Sequence, residues 1–396
     1  MIPKEIDDIK LSDIEIIFKE NDRELRTLEF KREITLSNSK EKKEFLADIS
    51  SFANSVGGDI ILGIDEKLGV KPIEIDDIDS FLLRIESIIR TGIEPKIGNC
   101  RIKEIKVEEN KYVLIIRIPK SYISPHRVTF ESHDKFYGRG ENGKYPLDVY
   151  QLRNSFLSSE NAKNRINDFL QDRINKIISS ETPLKLPKGA RLMLHIIPIE
   201  SFGNPKEYDL MEIIRDKYGI KISPIDSNGR YGQRINFDGI VSYRSDGSDF
   251  TSSYLQIFRK GIIEAVNSSI FSASVQDKLI PSTYLEKELI YFIGNIFDVI
   301  KKLKFKPPFF LILNIIDIKD FKLATGGRGD AFENYRLERN ILSFNEIFIE
   351  DYPESPVKLL RIWFDHIWQA FGYEGCGNYR NYKNELSWTD GSATYI

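Results

Sequence analysis

Apolar residues recur along this chain at two different periods, and the switch between them lays out the elements. Phe45, Leu46, Ile49, Phe52 and Ala53 stand at helical spacing, which predicts a helix with one buried face. Ser37-Asn38-Ser39 ahead of it supply side chains that can cap its first N–H groups. Gly57-Gly58 ends it, because glycine accepts the positive φ of a sharp turn, and Asp59 to Ile64 follows as a continuously apolar central strand in which Gly63 leaves room for close approach. Leu25 to Ile34 reads as a strand before that helix, and residues 5–20, with Ile6, Ile9, Ile14, Ile16 and Ile17 among acids, as one or two short helices. Leu82, Leu83, Ile85, Ile88 and Ile89 predict a second helix over Phe81–Ile89. Arg101–Val107 and Tyr112–Ile118 read as a hairpin around Glu109-Asn110, ending at Pro119.

Beyond this point a polar stretch near Leu157 to Arg165 leads into a helix over Ile166–Ile178. Thr182 to Pro187 reads as a linker, since paired prolines resist helix and sheet alike. The expected division is therefore a first domain over 1–158, a helix and linker over 159–188, and a second domain over 189–396. In the second the pattern predicts a strand at Arg191–Pro198, a helix around Tyr208–Tyr218, and strands near Ile235–Arg244 and Ser252–Arg259. A long helix from about Thr283 to Leu303, an apolar strand Phe309–Ile318 and a helix Val357–Phe371 follow. The expected class is α/β (α+β), a mixed sheet with helices followed by a second α+β domain, and 396 residues suit two core-forming units. No repeat of 20–50 residues interrupts this order.

Composition narrows the function classes. Lys plus Arg number 57 against 60 Asp plus Glu, so no bulk attraction to nucleic acid is implied and any such face must be local. Residues 101–158 hold eleven bases and seven acids, with Tyr122, Phe130, Phe136, Tyr137 and Tyr145 interleaved, and are the expected place for it. Two cysteines, Cys100 and Cys376, lie far apart and exclude a cysteine-rich zinc site or disulfide scaffold. No apolar run reaches the roughly 18 residues of a membrane span and no basic-then-apolar leader begins the sequence, so a soluble cytoplasmic protein is expected.

The candidate chemistry is carboxylate chemistry. Glu24 and Glu29 precede the basic pair Lys31 and Arg32, and Asp65 and Glu66 follow the glycine-flanked strand; acids on neighbouring strands can converge on one cation. Phosphodiester cleavage needs such a cation to neutralise the developing charge and activate water, and hard oxygen ligands suit Mg²⁺ or Mn²⁺. The competing reading pairs Glu24 and Glu29 with Arg26, Lys31 or Arg32 as solvated ion pairs. Lys31, two residues past Glu29, shares its strand face and could hold a phosphate or simply bridge to Glu29. Lys40, Lys42 and Lys43 open the following helix, where they could touch a nucleic-acid backbone or remain solvated. His126 after Pro125, Arg127 beside it and Arg139 could contact phosphate, which arginine grips bidentately. Alternatively Phe136 and Tyr137 are core and Arg139 fixes Glu141 or the turn. No G-x-x-x-x-G-K-[ST] occurs, Ala324–Asp330 reads as a mobile loop, and His133, His195 and His366 lack zinc spacing.

Three blocks carry a resemblance: Glu29-Phe30-Lys31 with Glu24 ahead of it; Phe52-Ala53-Asn54 through Gly57-Gly58 to Gly63-Ile64-Asp65; and Pro125-His126 followed by Phe136-Tyr137-Gly138-Arg139. Over about residues 20–158 the chain resembles the Schlafen AlbA-like domain, a family associated with nucleic-acid binding. In its nuclease branch a Glu, a Glu five positions on and an acid after the glycine-flanked strand look like a metal-binding triad that cuts transfer RNA. Glu24, Glu29 and Glu66 fall on those positions, with Glu66 where the pattern has Asp and Asp65 just before it. The resemblance implies a nucleic-acid-binding protein acting on RNA or DNA, and a divalent-metal-dependent ribonuclease in a prokaryotic antiviral defence or stress role. The alternatives are a non-catalytic regulatory module, or a homo-oligomeric assembly protein whose second domain is a sensor.

Overall fold

The computed structural model describes residues 1–20, 26–65, 67–121, 123–202, 207–211, 215, 221–226, 231–244, 249–272, 278–325, 335–382, 385–389 and 394–395. The chain divides into two compact units, Met1–Ile166 and Asn167–Ile396. Both are α+β with mixed or antiparallel sheets. Among the described residues no helix is long and apolar enough to cross a membrane.

The first unit runs α1 (Leu11–Glu20), β1 (Leu28–Lys31), α2 (Ser39–Ala53), β2 (Gly58–Leu62), β3 (Ile64–Asp65), β4 (Gly69–Val70), β5 (Ile73–Glu74), α3 (Ile78–Gly92), β6 (Ile93–Glu94), β7 (Arg101–Glu108), β8 (Lys111–Ile118), β9 (Arg127–Val128), β10 (Lys135–Gly140), β11 (Gly143–Pro146) and the first part of α4 (Val149–Ile178), whose residues from Asn167 on belong to the second unit. β1 pairs in parallel with β2, β2 antiparallel with β8, and β8 with β7 and β5. Asn38 caps α2, its side chain accepting from the N–H groups of Lys40 and Glu41. Gly57 turns the chain into β2 at φ +77, where an added Cβ would sit 2.7 Å from the Lys120 backbone nitrogen. Gly63, at φ +91, ends β2 sooner than the apolar run suggested.

Strand alternation then sorts the side chains. Leu28, Phe30, Ile61, Ile64, Val113 and Ile115 face the amino-terminal segment with Ile2, Ile6, Ile9 and Ile14. Ile60, Leu62, Leu114, Ile116 and Ile118 face Phe45, Leu46, Ile49 and Phe52 of α2 and Ile85 and Ile89 of α3. Each such residue, fully buried, stabilises by about 1.5–3 kcal/mol relative to exposure. Glu29 and Lys31, opposite Ile60 and Leu62 in the parallel register, lie on the α2 side. A second sheet, in the order β11–β10–β9–β6, packs on α2.

α4 begins at Val149, well before the expected start at Ile166, because Asp148 and Gln151 cap reciprocally: each backbone N–H donates to the other side chain, at 2.8 and 3.1 Å. The second unit is built on β12 (Arg191–Pro198), β13 (Tyr231–Ile235), β14 (Gly239–Arg244), β15 (Ser253–Phe258) and β16 (Ile263–Asn267). β17 (Leu279–Pro281), β18 (Phe309–Ile316), β19 (Lys322–Ala324), β20 (Ile341–Ser343) and β21 (Ile347–Ile349) follow, and strands Tyr379–Tyr382, Glu385–Thr389 and Thr394–Tyr395 form a separate small sheet. Among the described residues the main sheet is antiparallel, ordered β13-β14-β15-β16-β12-β18-β20 with β21 also on β18. Helices Ser282–Lys302 and Pro356–Gln369 cover one face, and Ile174 and Ile177 lie on the other. Most of the expected helix near Tyr208–Tyr218, and Gly326–Asp330 of the expected loop, lie outside the described residues.

A polar network is sealed inside this sheet. Glu264 accepts from Arg173 Nε and Nη2 at 2.7 and 2.8 Å, from the Tyr254 hydroxyl at 2.9 Å, and from His195 Nε2 at 3.0 Å. Burial opposes its ionisation, but the bonds and charges of Arg173 and His195 prevail and lower the carboxyl from 4.5 to about 2. A carboxyl lowered by folding contributes stability above its unfolded pKa and loses it on acidification. The urea midpoint followed by tryptophan fluorescence should therefore fall as the pH drops from 4.5 towards 2, all three tryptophans lying in this unit. Glu264→Gln should be less stable at neutral pH and lose less on acidification. Equal acid losses in the two proteins would remove the network as the cause.

Candidate nucleic-acid interface

Five charged side chains from four elements meet where β1, α2, β10 and β11 converge. Glu29, 7% exposed, pairs with Arg139 Nη2 and lies 3.4 Å from Lys31 Nζ. Asp48, in the middle of α2 and 1% exposed, has Lys31 Nζ at 2.8 Å, Lys144 Nζ at 2.6 Å and Arg139 Nη1 at 3.9 Å. The Lys31 contact is close in distance but misaligned as a hydrogen bond to Asp48 Oδ2. Burial works against the charge on Lys31, yet Asp48 and Glu29 prevail and raise its pKa, so it stays a cation. Arg139 stacks on the Phe52 ring, 4.1 Å from its centroid, and its Nε and Nη1 find no hydrogen-bond acceptor.

The backbone around Arg139 is fixed from α2. Asn54 at the end of that helix donates from Nδ2 to the carbonyls of His126 and Tyr137, both at 2.8 Å, and accepts from the His126 N–H at 2.6 Å. Ser55 Oγ accepts from the Arg139 N–H at 2.9 Å. One amide thus ties β9 and β10 to the helix that carries Asp48.

The sequence candidates fare unequally. Glu24 and Glu66 lie outside the described residues. Asp65 accepts from the N–H groups of Lys67 and Leu68, at 2.9 and 3.1 Å, and these bonds lower its pKa; it shapes the turn after β3. Arg32, largely exposed, is 3.9 Å from Asp65. His126 is completely buried; burial pushes its pKa down to about 4, and Nδ1 bonds the Pro95 carbonyl at 2.6 Å, so it offers no surface to a phosphate. Arg139 is likewise enclosed, and its guanidinium serves Glu29 in place of phosphate. Arg127 is held by Glu94 at 2.7 Å and Asp134 at 3.3 Å. Lys43 pairs with Glu131 at 2.9 Å, and Lys42 lies over the Phe130 ring.

Among the described residues no group of three or more His, Cys, Asp or Glu is placed to hold a metal ion. Glu29, the one member of the expected triad within view, is spanned by two cations. These residues by themselves therefore do not fit a divalent ion, although hard carboxylate oxygens are its natural ligands. Asp48 and Lys144 escaped the sequence reading. Asp48 had a signal: it stands three residues after Phe45 and four before Phe52, a charge on an apolar helical face.

Removing one partner of a buried pair leaves the other charge uncompensated, typically at about 3–5 kcal/mol. Arg139→Met and Glu29→Gln should each lower the urea-unfolding stability of this unit on that scale, and the double variant should cost less than their sum. Strict additivity would show that the two side chains act independently.

No curated protein matches the chain in sequence. Solved structures similar to it include the DIP2311 protein from Corynebacterium diphtheriae, at 20% identity over 31% of this chain and 22% of that one, with a TM-score of 0.24. The N-terminal domain of a RecG-related protein from Nitrosomonas europaea matches at 18% identity over 35% of this chain and 89% of that one, also at 0.24. The chain thus spans 22% of the first of these proteins. Residues 24–148 match the family described as Schlafen, AlbA_2, a domain that points to a nucleic-acid-related function. The likeness to the Schlafen, AlbA_2 family is thus confined to residues 24–148, within the amino-terminal unit.

Proposed function

We propose that the amino-terminal unit binds nucleic acid, RNA foremost, over the surface made by the first turns of α2 with β10 and β11. The observation that carries this reading is the grouping of bases and rings on that surface. Lys42 lies against Phe130, Lys43 follows it on the same helix, Lys144 and Lys31 sit partly exposed at the mouth of the buried cluster, and His133 stacks on Tyr137. Cations supply affinity for phosphate, while aromatic faces receive unstacked bases, so the combination suits a single strand better than a closed duplex.

A second reading is cleavage of transfer RNA or a similar RNA with Mg²⁺ or Mn²⁺, through Glu24, Glu29 and Glu66 with Asp65 and Lys31, in a prokaryotic defence or stress response. It is favoured by the shared face of Glu29 and Lys31 on β1, which sets a carboxylate beside a lasting cation. It requires Glu29 to exchange Arg139 for the ion.

Retention of labelled transfer RNA and of single-stranded RNA and DNA of one sequence, with Mn²⁺ or with chelator, separates these readings. Wild-type protein should retain RNA with an affinity that falls as salt rises, by roughly one power of salt per phosphate contacted. Fragments that need Mn²⁺ and vanish in a folded Glu29→Ala variant would establish cleavage. Retention without fragments would leave binding alone, and no retention at low salt would sink both.

A further inference from the structure

The buried cluster does not balance its own charge. It holds three cations, Lys31, Arg139 and Lys144, but only two enclosed carboxylates, Glu29 and Asp48. The third negative charge comes from outside: Glu44 Oε1 stands 2.5 Å from Lys144 Nζ, on a side chain that is 64% exposed. The two donors of Arg139 that find no acceptor point to the same surplus of cation over anion. Glu44 also lies four residues before Asp48 on α2, so the two carboxylates repel along one helix face. An exposed ion pair under such repulsion is worth little, about 0–1 kcal/mol. Glu44 is thus the one member of the set that can leave without uncovering a buried charge.

A phosphodiester carries the same single negative charge and stronger acceptor geometry for an ammonium. Next to this position His133 and Tyr137 stack with their centroids 6.0 Å apart, and the charge of Glu44 reaches both rings. We propose that Glu44 is a stand-in anion, holding at Lys144 the place of one backbone phosphate of a bound single strand, whose neighbouring base is received by the His133–Tyr137 pair. This rests on the reading that the amino-terminal unit binds nucleic acid. On binding, Glu44 turns out to solvent and the phosphate completes the charge balance of the cluster.

The test is fluorescence anisotropy of a labelled oligouridylate with the full chain over a salt series. Glu44→Gln should tighten binding by about 2–5-fold at low salt, since it removes the competitor. Lys144→Gln should weaken it by about tenfold and lower the slope of log affinity against log salt by about 1. In the Glu44→Gln/Lys144→Gln double variant the gain should vanish. Wild-type affinity in Glu44→Gln, or a gain that survives without Lys144, overturns the proposal while leaving nucleic-acid binding in place. Should no variant retain the oligonucleotide, the binding reading falls and calorimetry with inorganic pyrophosphate decides the anion site alone. Tighter pyrophosphate binding in Glu44→Gln that depends on Lys144 upholds it, and its absence overturns it.

Discussion

A guanidinium shut away from water governs the amino-terminal unit. Arg139 on β10 is 2% exposed, and its charge is met there by Glu29 of β1 and Asp48 of α2. An uncompensated charge at such depth would cost several kcal/mol, so the two sheets are obliged to meet through α2 at one position. Apolar packing alone would tolerate small shifts of β10 along the helix, because hydrophobic contact has no direction. The Arg139 ion pairs, together with the Asn54 amide bonds, remove that freedom. The placement of Lys31 and Lys144 at the surface follows from the same constraint.

The carboxy-terminal unit buries its carboxylates differently. Glu264 is closed in by Arg173, Tyr254 and His195, and Glu286 is met by the indole N–H groups of Trp368 and Trp388 at 2.7 and 2.6 Å and by Asn378 at 2.8 Å. Burial raises the Glu286 pKa while these donors pull the other way; every one of those partners donates, which is the arrangement an ionised carboxylate needs. Both acids are fully enclosed; Glu264 ties the helix that carries Arg173 to the sheet, and Glu286 ties helix Ser282–Lys302 to Trp368 of Pro356–Gln369 and to Trp388. In the first unit, by contrast, Lys31 and Lys144 keep 23% and 18% of their side chains open to solvent.

Local signals were legible in the sequence and distant pairings were not. The hairpin around Glu109-Asn110 could be read because its turn is made by Asn110 itself, at φ +56, and α2 because its apolar stripe and Asn38 cap are adjacent. The early start of α4 was hidden, since hydrophobic periodicity does not register a reciprocal cap at Asp148 and Gln151. The family blocks fall within the stretch that matches the Schlafen, AlbA_2 family, residues 24–148. They could not say that Arg139 belongs to Glu29, 110 residues away, because strand order and register decide that pairing and spacing does not. Asp48 escaped the sequence reading although it stands as a charge on the apolar face of α2.

The distinction between scaffold and site comes down to how the charges of one cluster are divided between interior and surface. A carboxylate oxygen engaged by a guanidinium is not at the same time free for a metal ion, so Glu29 in its observed setting acts as a structural anion. Glu44, at the rim of the same cluster, is under no such obligation, because water can take over its charge at little cost. Ligand exchange is therefore easiest at Lys144 and hardest at Glu29, although both belong to one continuous chain of ion pairs. Exchange of Glu44 for one phosphate would leave the charge beside Lys144 and Asp48 unchanged. The same event leaves Glu29 and Arg139 undisturbed, which allows the fold to remain intact while its surface changes partners.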